Sequence, residues 1–309
     1  MRWDDFRRSD NIEDDRDSGG GFGGGPGGGF QIPIGGGRGG LGIGTVVVLG
    51  LIGWALGIDP SILIGGAEMI NNSTRPSIEQ TQTNRQSGTP SDQTGDFVAA
   101  VLGNTEDVWT EVFKQGGETY RPPRLRLFRG AVQGGCGFAQ AAMGPFYCPT
   151  DRRVYLDTSF FSEIEQRFRG CTGKACKFSQ AYVIAHEIGH HVQNSLGILD
   201  KAHQAQQTAG SRAAANRIQV RVELQADCFA GIWANRSEAR KSFLDPGDID
   251  AALQTATAIG DDTLQKKAQG RVVPDAFTHG SAEQRKRWFM TGFQSGKVSS
   301  CNTFAASEL

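Results

Sequence analysis

Two histidines four residues apart, His186 and His190, constrain this chain more than any other feature it carries. The stretch Ala181-Tyr182-Val183-Ile184-Ala185 that leads into them has helical apolar spacing, and residues four apart on a helix share one face. Both imidazoles then converge on one point, the arrangement H-E-x-x-H that holds a metal ion. Zinc suits it, because neutral imidazole is a good ligand and three protein ligands leave a fourth position for water. Glu187 lies one step round from His186, where it can take a proton from that water without binding the ion. With only five histidines in the chain, chance rarely produces this spacing.

A third ligand is required, and Val222-Glu223-Leu224-Gln225-Ala226-Asp227 offers one within a second helical stretch, 213–234. Glu223 and Asp227 are four apart and share a face, so Glu223 is expected to complete a His₂Glu site. Asp227, one turn on, is expected to accept the free ring N–H of a ligating histidine. Arg217, Arg221 and Arg236 leave open the plainer reading of a salt-bridged surface helix. Of the other histidines, His191 points about 100° away from His190, and His203 sits in a polar stretch that reads as solvated. His279 precedes a late helix in which Ser281 and Gln284 have the spacing of a capping box. His279 and Arg285 are candidates to stabilise an oxyanion during attack on a carbonyl, against purely structural roles.

Around this centre the chain divides by composition. Residues 1–18 carry four arginines against seven acids and are expected to be disordered alone. Glycine dominates 19–44 without a period of three, which reads as a flexible spacer, so 1–40 is expected to form a tail. The uncharged run 41–58 barely spans a hydrocarbon core of ~30 Å as a helix, and is expected to be a single transmembrane anchor rather than a buried helix or a cleaved leader. A polar linker, 59–95, precedes one domain, 96–309. That domain begins with a helical pattern over 97–113. Strand-like runs follow at 125–128, 138–142, 145–148 and 154–157, and the chain is mostly helical thereafter. Strands first and helices after is the order of an α+β domain with helices packed on a small sheet. A formal net charge of −1 argues against nucleic acid as a partner.

These motifs resemble those of the bacterial neutral zinc metallopeptidase family, membrane-anchored proteins of the zincin type. The resemblance runs from Met1-Arg2-Trp3 and Arg7-Arg8-Ser9-Asp10-Asn11 through Gly144-Pro145-Phe146-Tyr147-Cys148-Pro149. It continues with Ala185-His186-Glu187-Ile188-Gly189-His190-His191-Val192-Gln193, Glu223-Leu224-Gln225-Ala226-Asp227-Cys228 and His279-Gly280-Ser281-Ala282-Glu283-Gln284-Arg285. It implies a zincin fold whose sheet has an edge strand that pairs with an extended peptide, and 138–142 looks like that strand. The expected activity is zinc-dependent hydrolysis of peptide bonds in a peptide or protein substrate, with Glu187 as general base. The alternative is a catalytically silent, zinc-containing scaffold or binding protein at the membrane.

All six cysteines follow the apolar run. An even number on one side of an anchor fits an oxidising compartment. Cys136 with Cys148 and Cys171 with Cys176 are reasonable pairs, leaving Cys228 and Cys301, although six cysteines allow about fifteen pairings. The domain is therefore expected outside the cytoplasm, periplasmic or extracellular, with the amino terminus inside.

Overall fold

The computed structural model describes residues 1–16, 90–140, 144–166 and 171–309, all within a single compact unit. The anticipated transmembrane run 41–58, the glycine spacer and the linker as far as residue 89 lie outside the described residues. No helix among the described residues is long and apolar enough to cross a membrane.

The first helix, α1 (Gln93–Gln115), starts where Asp92 accepts hydrogen bonds from the main-chain N–H groups of Thr94 and Gly95. It therefore begins inside the expected linker. Four strands form the main sheet in the order β1 (Ile12–Asp14), β2 (Arg124–Phe128), β6 (Arg153–Asp157), β5 (Phe146–Cys148). β1, β2 and β6 are parallel, with Ile12 opposite Leu125 and Leu125 opposite Val154. β5 runs antiparallel to β6, with Tyr147 opposite Val154. β3 (Ala131–Gly134) and β4 (Gly137–Gln140) form a separate antiparallel hairpin. The edge strand expected at 138–142 is thus part of that hairpin, and the main sheet ends instead on β5. Hydrophobic alternation over four residues serves a hairpin and a sheet edge equally well.

After β6 the described chain is helical: α2 (Ser159–Gln166), α3 (Cys176–Ser195), α4 (Ile198–Gln207), α5 (Arg212–Lys241), α6 (Asp248–Ala258), α7 (Asp261–Gln269) and α8 (Ala282–Ser295). The expected α+β class with a mostly helical second half holds. The capping box at the start of α8 is present in full, Ser281 accepting from Gln284 N–H and the Gln284 side chain accepting from Ser281 N–H. α1, α3, α5 and α8 enclose a core that includes Phe97, Trp109, Phe178, Phe229, Trp233 and Phe289, all buried.

Residues 1–16 depart from expectation. They are folded onto the domain, which also removes the expected separation of that tail from the rest. Trp3 meets Phe97 edge to face at 5.3 Å, Phe6 packs on Phe243, and Ile12 is buried within the sheet. The charges that argued for disorder have fixed partners. Arg8 pairs with Asp96, Arg7 with Glu106, and Glu13 with both Arg124 and Arg153. Glu106 also accepts from Ser9 and Asn11. Composition alone could not foresee that α1 and β2 carry the complementary surface.

Three disulfides close the unit: Cys136–Cys148 between the hairpin and β5, Cys171–Cys176 at the start of α3, and Cys228–Cys301 between α5 and a short 3₁₀ turn, Val298–Cys301. These are the two pairs anticipated and the remaining one.

Candidate metal centre

α3 carries His186, Glu187 and His190, and α5 brings Glu223 to them. The helices can approach this closely because Gly189 has no side chain: a Cβ there would lie 2.9 Å from the carbonyl oxygen of Ala226. Nε2 of His186 and Nε2 of His190 lie 3.3 and 3.6 Å from the same oxygen, Oε2 of Glu223. All three ligand atoms fall within 4.8 Å of one another. Corners of a tetrahedron around zinc, with ligand bonds of ~2.0–2.1 Å, are ~3.3–3.4 Å apart, so these donors fit the ion in type and spacing.

Each of the three has its remaining polar atom occupied. Nδ1 of His186 lies 2.8 Å from Oδ1 of Asp227. Nδ1 of His190 lies 2.9 Å from Oε1 of Gln193. Gln219 donates to Oε1 of Glu223 at 2.8 Å. With both Nδ1 atoms facing acceptors, both Nε2 lone pairs are left for a metal. The main-chain N–H of Tyr147 on β5 faces the carboxylate of Glu187 and favours its charged form. Tyr147 is in turn held through its hydroxyl by Asn194 at 2.8 Å and His191 at 3.0 Å. Glu187 therefore sits beside the sheet edge.

The family model described as "Putative neutral zinc metallopeptidase" matches residues 1–304. The chain belongs to this family. The uncharacterized protein YpfJ of Escherichia coli (strain K12) is similar, 45% identical over 308 residues, covering 99% of this chain and 100% of YpfJ. The uncharacterized protein Rv2575 of Mycobacterium tuberculosis (strain H37Rv) is 40% identical over 266 residues, covering 82% of this chain and 85% of its own length. No solved structure matches the chain at significance. The family match takes in the amino-terminal residues that form β1, in agreement with their place in the fold.

In this family member, burial alone would lower the His186 imidazole, yet the charge and hydrogen bond of Asp227 hold it at about 10 in the absence of an ion. Burial likewise works against His190, which Glu223 pushes up. Burial favours a neutral Glu223, and the two imidazoles overcome it and hold the carboxylate well below its usual range. Glu187 is shifted upward, by burial first and by Glu223, against the pull of both histidines.

Arg285 is not where an oxyanion partner must be. Its guanidinium is buried behind Asp227, with Nε 2.8 Å from Oδ2 and Nη2 3.0 Å from Oδ1, and it also reaches the hydroxyl of Tyr182. Tyr182 donates to the same carboxylate at 2.6 Å. Arg285 therefore neutralises the acid that orients His186, correcting its expected catalytic role. Its position four residues after the cap of α8 turns it inward to α5, a direction that sequence does not carry.

His279 keeps a side chain that is 43% exposed, with Nδ1 3.0 Å from Thr278 Oγ1 and 3.4 Å from Asp261 Oδ1. Asp261 also accepts the main-chain N–H groups of Thr278, His279 and Gly280, which fixes this loop. Burial opposes a charged His279, and Asp261 and Glu223 raise it. His191 is held down to about 4 by burial and takes no part in the ligand set. His203 is exposed, as anticipated. Tyr182, Gln193, Gln219 and Tyr147 were missed. Tyr182 and Gln193, four before His186 and three after His190, share the helical face of those ligands and were recoverable from spacing. Tyr147, on another element, was not.

Proposed function

We propose that the chain is a zinc-dependent peptidase in which His186, His190 and Glu223 hold the ion and Glu187 is the general base. The observation that carries this reading is the common approach of two imidazole nitrogens and one carboxylate oxygen to one point, beside a second acid, Glu187, that does not share it. Bound there, zinc would polarise a scissile carbonyl and lower the pKa of a coordinated water toward ~7.

The rest falls to the chain. Glu187, beside the Tyr147 N–H and shifted upward, accepts the proton of the attacking water and returns it to the leaving amine. His279, with Nδ1 turned to Asp261 and Thr278, has its other ring nitrogen free to donate to the developing oxyanion. A purely structural zinc site has no use for an oriented Glu187, which favours the peptidase over a silent scaffold. The proposal includes membrane association through 41–58. The three disulfides support an oxidising compartment for the domain.

The test is cleavage of a generic protein substrate by the purified chain, with zinc content measured beside it. Cleavage that is lost on chelation and restored by zinc supports the reading. A chain that binds one zinc but cleaves nothing, with or without chelator, turns the assignment to the scaffold.

A further inference from the structure

His190 is backed differently from His186. Behind His186 stands a carboxylate, whereas behind His190 stands a chain of amides. Oε1 of Gln193 faces Nδ1 of His190 at 2.9 Å. Its amide nitrogen donates to the carbonyl of Val222 at 2.8 Å and to Oε1 of Gln225 at 3.0 Å. The amide nitrogen of Gln225 donates in turn to the carbonyl of Cys301 at 2.8 Å, the residue cross-linked to Cys228. Gln193 and Gln225 are both buried, so water does not substitute for these partners.

The direction of every bond follows from the far end. The Cys301 carbonyl can only accept, so Gln225 presents nitrogen to it and oxygen to Gln193. Gln193 must then present nitrogen to Gln225 and Val222, and oxygen to His190. An amide flipped end for end would aim a donor at Nδ1. That would favour the tautomer with the proton on Nε2, the nitrogen needed for a ligand bond.

We propose that Gln193 and Gln225 are positioning residues for metal binding: they fix the ring and tautomer of His190 through a one-way amide relay that ends on the Cys301 carbonyl. The inference rests on the zinc reading above. It goes further by making affinity for the ion depend on residues that never touch it.

The experiment measures zinc affinity of the full chain by competition with a chromophoric chelator, with the Co²⁺ absorption spectrum and the thermal midpoint of the metal-free chain alongside. Gln193→Leu is expected to weaken zinc roughly 10- to 100-fold, the range typical of lost outer-shell partners. Gln193→Glu keeps an acceptor opposite His190 but sets its second oxygen against Val222 and Gln225, and is expected to weaken zinc by about three- to tenfold, less than leucine does. A mere staple between α3 and α5 predicts otherwise, since the carboxylate would oppose the Val222 carbonyl and weaken zinc as much as leucine does. Gln225→Leu leaves His190 its contact but removes one of two acceptors orienting Gln193, and is expected to weaken zinc by about three- to tenfold. Unchanged affinity in Gln193→Leu or Gln225→Leu, or equal losses in Gln193→Leu and Gln193→Glu, overturns the relay while leaving the zinc reading intact. A wild-type chain that takes up no zinc overturns both.

Discussion

The guanidinium of Arg285 makes two hydrogen bonds to the carboxylate of Asp227, at 2.8 and 3.0 Å, and both side chains are buried. Burial opposes the charge on Asp227, and Arg285 and His186 hold its pKa far below the usual carboxylate range. Arg285→Leu strands that charge, and breaking such a buried pair typically costs ~3–5 kcal/mol. Denaturant unfolding of the metal-free chain is expected to show the loss. A variant as stable as wild type but slower in turnover would return Arg285 to the reaction itself.

Glu187→Gln keeps the size and the Tyr147 contact but removes the base. Proton transfer by a placed side chain is worth roughly 10²–10⁴-fold, so cleavage is expected to fall by that factor while zinc content stays at wild-type level. The corresponding loss in Glu223→Ala is expected at the metal instead, with zinc itself released on dialysis.

His279→Ala separates transition-state stabilisation from ligation. Loss of one oxyanion donor costs about 10²–10³-fold in kcat, and that is the expected effect, with KM and zinc content little changed. Depletion of zinc in this variant would place His279 among the ligands.

The attachment of residues 1–16 is predicted to be acid-labile. The Arg16 contact holds Asp92 down at about 2, and Arg8 lowers Asp96. Burial would raise Glu13 and Asp14, but Arg124 and Arg153 on the former and Arg16 on the latter hold both below the usual value. Groups with depressed values stabilise the fold above their unfolded pKa and cease to do so as pH falls through the folded one. The indole NMR resonance of Trp3 is therefore expected to move as pH drops from about 4.5 toward 2, and to move earlier in Arg16→Gln. A Trp3 signal that follows only global unfolding would count against this account.

The His186, His190 and Glu223 cluster was legible because it depends on helical periodicity, which sequence displays directly. His186 with His190, and Glu223 with Asp227, needed only a spacing of four and two helices in contact. All six cysteines reached partners consistent with their order along the chain. What sequence hid was direction and distance in space. Arg285 follows His279 in a motif suggestive of catalysis, yet turns its guanidinium to α5. A three-residue strand such as β1 has too short a pattern to register. Its polar flanks read as disorder because their arginines and acids are satisfied by residues some 80 to 140 positions away.

Ile12–Asp14 shares a ladder with Arg124–Phe128, and hydrogen-bonded neighbours cannot be separated by a lipid layer. Arg16 and Asp92, on the two sides of residues 17–89, form an ion pair. The first sixteen residues and the disulfide-bonded domain therefore face the same solution, which overturns the expected placing of the amino terminus inside and the domain outside. Any partner recognised by that leading segment must be sought on the side that holds the disulfide-bonded domain.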